Sequence, residues 1–231
     1  MNRTLYYNAS QFLFNLALQA NDAQDYFPIW GTCLGFEFLS IVVANDINVL
    51  TGFDAENISL PLQLTPYAAR SRLFSQLENR QPWLAYLSHN NVTENYHHWG
   101  VGVDTFQANA ALSTFYALIS TSEDRNGLPF VSSVEALKYP IYAVQYHPER
   151  SLFEWDSTEQ IDHSASTIAI MQYFGRFFVN EARQNSHAYP SADAEHDALI
   201  YNYSPIYTAK LFGFDEQMYV FPAWPWSDRH P

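Results

Sequence analysis

The residue with the clearest chemical potential is the chain's one cysteine, Cys33. It stands in Phe27–Glu37, FPIWGTCLGFE. Phe27, Pro28, Ile29 and Trp30 read as a short buried strand, Gly31-Thr32-Cys33-Leu34-Gly35 as a sharp turn, and Phe36, Leu39 and Val43 as the apolar face of a helix running to about Ala44. Strand, G-x-C-x-G and helix form the layout of a nucleophile elbow, with cysteine in the place of serine. Glycines suit so tight a turn because strand and helix must approach closely and strained dihedrals must be tolerated. The turn places the sulfur at a helix N-terminus, where unpaired N–H groups and the helix dipole favour an anion. The thiolate is the nucleophilic form of a cysteine. The N–H of Leu34 would supply half of an oxyanion hole. The alternative for Cys33 is an inert cysteine buried beside a strand.

The second reactive stretch is Val144–Glu149, VQYHPE. His147 leaves a strand end, and Pro148 holds it to an extended backbone. Glu149, two residues on, can accept the imidazole's other N–H, fixing its tautomer and stabilising the imidazolium. Cys33, His147 and Glu149 thus make a nucleophile, base and orienter. Taken singly, His147 could be a structural histidine and Glu149 a solvated loop charge. Only a fold that brings two strand ends together can assemble the three, and an open sheet does so at the carboxyl ends of its strands.

The remaining chain must supply that sheet. The length of 231 residues, with 48% hydrophobic and 15% charged residues, is that of a folded domain. A net charge of −13, from 11 basic and 24 acidic residues, argues against nucleic acid as a partner. One cysteine excludes an internal disulfide and a cysteine zinc cluster, and no metal or organic cofactor is expected. No apolar run reaches the length of a membrane span, so no membrane partner is expected. The first residues read as an amphipathic helix without the apolar core and cleavage site of a signal peptide. Asn2, Asn8, Asn57 and Asn91 begin Asn-x-Ser/Thr sequons, and Asn202 begins a fifth that Pro205 follows; they hint at a secretory route.

Further along, residues 47–50 read as a short strand and 51–66 as a loop-rich passage. The spacing predicts a helix over 67–77 and an extended region from Trp83. A strand is expected over 95–106, with His97 and His98 at its entrance. A short helix is expected over 108–116. Strands at 116–120 and 129–134 flank a turn at Asn126-Gly127, and a third strand spans 141–146. The longest helix is expected over 164–185, with Ile168, Met171, Phe174, Phe177 and Phe178 on one face. A polar surface loop over 186–198 and an aromatic, irregular or short-stranded tail complete a chain with no internal repeat.

GTCLGFE together with QYHPE resembles the class I glutamine amidotransferase-like superfamily, whose Cys-His-Glu triad hydrolyses glutamine or γ-glutamyl amides. DAQDYFPIWGTCLGFE, NYHHWGVGVDTF, YPIYAVQYHPE and FFVNEARQNSH with ALIYNYSPIYT resemble more closely the folate γ-glutamyl hydrolase family, along nearly the whole chain. The resemblance implies one domain over 1–231, of α/β class. Its architecture would be a three-layer α/β/α arrangement around a mixed, mostly parallel sheet. It implies Cys33 as nucleophile, His147 as general base and acid, and Glu149 as third member. His97 matches a supporting histidine near the site, while His98 has no match and reads as a surface residue. Glu37 matches a glutamate one turn into the elbow helix that faces substrate, the alternative being a surface carboxylate. The implied activity is hydrolysis of γ-glutamyl bonds in pteroyl-poly-γ-glutamate through a thioester, in a lysosomal, vacuolar or secreted enzyme that is often a homodimer.

Members of that family carry a first strand and a glycine-rich loop upstream, after a secretory signal, and this chain starts at the helix that should follow them. The expectation is therefore an N-terminally truncated domain whose nucleophile strand has one unpaired edge, and which lacks the second oxyanion donor. Two rival functions follow: a catalytically weak or inactive remnant, and a glutaminase domain serving a synthetase, against which the C-terminal stretch argues.

Overall fold

The structure, a computed structural model, describes residues 5–208, 210 and 217–221. The sequon at Asn2 and parts of the aromatic tail lie outside the described residues. The chain divides into two compact units, Met1–Asn185 and Ser186–Pro231. The break follows the end of the helix Ala165–Ala182.

The first unit is built on a five-stranded sheet. Its strands are β1 (Ile29–Thr32), β3 (Gln63–Leu64), β5 (Tyr116–Glu123), β6 (Pro129–Ala136) and β7 (Ile141–Val144), in the order β1-β7-β6-β5-β3. The sheet is mixed, as expected. Its parallel pairing is confined to β1 and β7, and the other three pairings are antiparallel. The connections explain this: short turns join β5 to β6 and β6 to β7, and such turns can only reverse the chain. Among the described residues β1 lies at one edge of the sheet.

Helices cover both faces. Along β7 side chains alternate in direction. Ile141 and Ala143 join a core with Phe14 of α1 (Leu5–Asp22), Phe36 and Leu39 of α2 (Leu34–Ala44), and Leu112. Tyr142 and Val144 join the opposite core with Leu84 and Leu87 of α3 (Arg80–His89) and Phe174 and Phe177, which belong to the helix Ala165–Ala182. This is the three-layer α/β/α arrangement. The remaining helices are α4 (Val103–Ala108), α5 (Ala110–Phe115), α6 (Arg150–Phe153) and α7, the helix Ala165–Ala182. Ser164 caps α7 by accepting from the Thr167 N–H. No helix among the described residues is long and apolar enough to cross a membrane.

Several local expectations are corrected. Residues 51–66 are not loop but mainly β2 (Thr51–Leu60), paired antiparallel with β4 (Thr93–Gly100). Two register shifts and Asn57 at φ 49° break the alternation that would have marked the strand. The stretch 47–50 is a 3-10 turn, because the Asp46 side chain accepts from the Asn48 N–H. Over 67–77 only Ala68–Arg70 is helical. The N–H groups of Arg72 and Leu73 donate instead to the buried Glu135 carboxylate, at 3.0 and 2.9 Å. Trp83–Ser88 lies inside α3, not in an extended segment; Pro82 sits in its first turn, where a missing N–H costs nothing. The strand of His97 and His98 ends at Gly100, and both histidines lie within it rather than at its entrance.

The second unit contains α8 (Ala192–Ala198), inside the stretch expected to be loop. Ser191 caps it and Asp193 and Glu195 occupy its first turn, a helix start without an apolar face. The pair β8 (Ile206–Tyr207) and β9 (Gln217–Met218) follows.

Candidate active site

The register of β1 on β7, Thr32 opposite Val144, brings both strands to their carboxyl ends side by side. The Cys33 N–H donates to the Val144 carbonyl at 2.9 Å, and the chain then turns into α2. Cys33 adopts φ 50° and ψ −104°, a conformation that side-chain-bearing residues rarely take and that marks a strained elbow. Gly31 has the steric role expected of it: a Cβ there would come within 2.8 Å of the Gly35 backbone and of Leu39 Cδ1. Gly35 differs, since a Cβ there would meet nothing within 4 Å. The close approach is thus made by Gly31 against the backbone of residue 35. Leu34 opens α2, so its N–H is among the first-turn donors without an intrahelical acceptor.

His147 follows β7 by three residues, its N–H bonded to the Glu94 carbonyl at 2.9 Å. Its Nδ1 lies 2.7 Å from Glu149 Oε1, and its ring also hydrogen-bonds Cys33. Burial works against a charged imidazole, but the bonds to Cys33 and Glu149 outweigh it and raise the His147 pKa to about 10. For Glu149, burial opposes ionisation, but the bond to His147 prevails and holds its carboxyl below the usual range. Cys33, His147 and Glu149 are therefore brought together as a connected triad.

His97 is buried on β4. Its Nδ1 donates to the Trp99 carbonyl at 2.8 Å, and its Nε2 faces the Asn95 amide at 3.2 Å. Burial drives its pKa down to about 4 against the pull of the Trp99 carbonyl, so it is a neutral ring close enough to His147 to feel its charge. His98 is exposed and paired with Glu56 at 2.8 Å, a surface residue as expected. Glu37 is buried one turn into α2, and burial pushes its pKa up to about 7 against a 3.3 Å bond from Gln145 Nε2. Leu34 and Glu37 line a cavity of about 450 Å³ with Tyr7, Phe38, Leu50 and Trp99.

Three site residues escaped the sequence reading. Gln145 is fully buried between Glu37 and Cys33. Glu94 is a buried carboxylate beneath His147, raised to about 7 by burial against Arg150 and His147. Arg150 bonds Glu159 at 2.9 Å, meets Glu94 at 3.5 Å and Glu154 at 3.1 Å, and lies over the Tyr96 ring. A signal existed for Gln145, a polar residue between the apolar Val144 and Tyr146, whereas Glu94 stands among polar neighbours in Thr93–Gly100. Arg150 reads only as one more charge after Glu149.

Comparison with known proteins agrees with this geometry. Residues 15–160 match the family model described as glutamine amidotransferase class-I. The chain is 38% identical to gamma-glutamyl hydrolase of Homo sapiens, over 96% of this chain and 68% of that protein. It is 39% identical to gamma-glutamyl hydrolase of Mus musculus, over 94% and 67%. Gamma-glutamyl hydrolase B of Dictyostelium discoideum is 38% identical, over 94% of this chain and 61% of the relative. The chain thus spans roughly two thirds of the length of these relatives. With a class-I glutamine amidotransferase match over most of its first unit and these identities along nearly its whole length, the chain belongs to the gamma-glutamyl hydrolase family.

Proposed function

We propose that this protein hydrolyses γ-glutamyl bonds in folylpoly-γ-glutamates, using Cys33 as a covalent nucleophile. The observation that carries the reading is the 2.7 Å His147–Glu149 bond behind an imidazole that also bonds Cys33 on its elbow. With the proton of the Cys33–His147 pair held on the imidazole, whose pKa is raised to about 10, the sulfur attacks the γ-carbonyl carbon, forming a C–S bond as the carbonyl pair moves to oxygen. The Leu34 N–H faces that oxyanion. Collapse breaks the C–N bond, His147 returns the proton to the departing amine, and a thioester remains. Water, deprotonated by His147, attacks the thioester; the C–S bond breaks and the γ-acid leaves. Glu149 stays bonded to His147 Nδ1 throughout and stabilises the ring whenever it is charged, and no metal or organic cofactor enters.

The aromatic lining of the cavity beside Leu34 and Glu37 suits the flat rings of a pteroyl group. The family assignment and the exposed sequons at Asn8 and Asn91 support a lysosomal, vacuolar or extracellular enzyme; a glycosidase mobility shift of the native protein checks this. A homodimer, read from the same family, is checked by sedimentation. The decisive test of the chemistry is Cys33→Ala assayed with a pteroyl-poly-γ-glutamate. Hydrolysis should vanish while melting is unchanged within a few degrees. Activity kept within about tenfold would remove Cys33 as nucleophile.

A further inference from the structure

Gln145 occupies a position the triad chemistry leaves unexplained. Because Thr32 pairs with Val144, the next residues, Cys33 and Gln145, emerge together from adjacent parallel strands. The Gln145 backbone is fixed by its N–H bond to the Ser132 carbonyl at 2.9 Å, and the residue is completely buried. Its Nε2 lies 3.3 Å from Glu37 Oε1 and 3.8 Å from Cys33 Sγ. Its Oε1 is buried with no hydrogen-bond partner.

That unpaired oxygen shows what the site selects. When Glu37 and Cys33 are ionised, the two groups facing the amide are both acceptors, and the NH2 end then faces them. Turning the amide over would set oxygen against oxygen and sulfur. On the far side, Gly100 of β4 closes in: a Cβ there would stand 3.4 Å from Gln145 Oε1 and 3.3 Å from the Phe53 ring. The oxygen end is packed against β4, and the donor end is presented to the site. Leaving an acceptor unpaired in a buried setting is unfavourable, and it is tolerated here where the two donors meet the nucleophile and Glu37.

We infer that Gln145 is a positioning residue of the reaction, whose amide N–H groups hold the Cys33 sulfur on one side and the Glu37 carboxyl on the other. The inference rests on the reading of Cys33 as nucleophile. A long N–H···S contact orients a thiolate without quenching it. It places a donor between two groups that would repel each other when both are ionised.

The test is Gln145→Met, which keeps the shape of the side chain and removes both donors. Two readouts are used: kcat and KM for a pteroyl-poly-γ-glutamate, and the rate of Cys33 alkylation by iodoacetamide at pH 7, which needs no turnover. A positioning role predicts kcat lower by about 10- to 100-fold, the worth of one hydrogen bond to an ionised group, with KM within about twofold. Alkylation per folded molecule should slow by about fivefold or more. A purely structural residue would lower the melting temperature and leave both rates per folded molecule unchanged. Should Q145M not fold, Q145E carries the same test with an isosteric side chain and the same expected losses. Both rates within about twofold of the wild type in the variant that folds would overturn the inference. Its failure is distinct from that of the parent reading, because hydrolysis surviving in C33A removes the nucleophile, whereas the alkylation rate reports on Gln145 alone.

Discussion

Two pairs of buried glutamates divide this molecule into a scaffold and a site. Glu135 on β6 is fully buried and receives the Tyr67 hydroxyl at 2.9 Å, the Arg72 N–H at 3.0 Å and the Leu73 N–H at 2.9 Å, with the Arg72 guanidinium beside it. Glu181 on α7 receives the hydroxyls of Tyr26 and Tyr142 and the amides of Gln76 and Gln184. Every oxygen of these two has a donor. Near the triad the pattern reverses. Glu37 has one bond, from Gln145, and Glu94 meets only Arg150 at 3.5 Å while its Oε2 has no partner. Both have pKa values raised to about 7, for which burial is the largest cause. Saturated carboxylates lock the fold; undersaturated ones stay able to change charge near neutral pH, which is what reaction chemistry needs.

The largest expected effect comes from the site itself. His147→Ala should lower kcat by about 1,000-fold or more, since triad members act as a unit, with melting little changed. Glu149→Ala should cost less, because its carboxylate orients the base and does not touch the reacting atoms. Parallel kinetics and thermal melts check both.

The scaffold half is broken by Glu135→Ala. Three donors would be left without their acceptor, and removing one partner from a buried, charge-assisted network costs about 3–5 kcal/mol. The variant should show a melting point lower by many degrees and, in the folded fraction, an unaltered KM. A stable E135A would erase the distinction between the two pairs.

Stability against pH sharpens the comparison. Glu94 binds its proton up to about pH 7 when folded and only to about 4.5 when unfolded. Between those values the folded state carries more protons, so this residue lowers stability as pH rises from about 4.5 to 7. Glu94→Gln should abolish that decline; melting temperatures measured across the window should converge with the wild type at its acidic end and exceed it at pH 7.

The smallest effect concerns Glu37. Above about pH 7 it becomes an anion beside the nucleophile and the cavity. The wild-type kcat/KM should therefore fall by several-fold on the alkaline side, and Glu37→Gln, which still accepts from Gln145, should remove that limb. An unchanged limb in E37Q would assign it elsewhere.

The triad was legible in the sequence because each member sits beside strong local punctuation. Gly31 leaves no room for a Cβ at the elbow, Pro148 separates His147 from Glu149 just beyond β7, and the short apolar runs of β1 and β7 announce strands, of which β7 is fully buried and β1 only partly. The helix cover was legible for α2 and α7, where apolar spacing is regular. What escaped depended on partners distant in the chain. The stretch 67–77 has helical spacing, yet its N–H groups are claimed by Glu135, more than sixty residues away. The β2 strand is disguised by its bulges. Gln145 looks like an ordinary polar residue until the parallel register of β1 and β7 sets it beside the sulfur, and Glu94 does until its carbonyl meets the His147 N–H.

The central claim is that Cys33 becomes covalently attached to the γ-glutamyl group. Its most direct test is intact-protein and peptide mass spectrometry of enzyme acid-quenched during turnover of a pteroyl-poly-γ-glutamate. The account predicts an acyl adduct on the peptide containing Cys33, discharged by hydroxylamine as a thioester and absent in C33A. Steady turnover with no adduct on that peptide, in a variant slowed at deacylation, or an adduct on another residue, would contradict it.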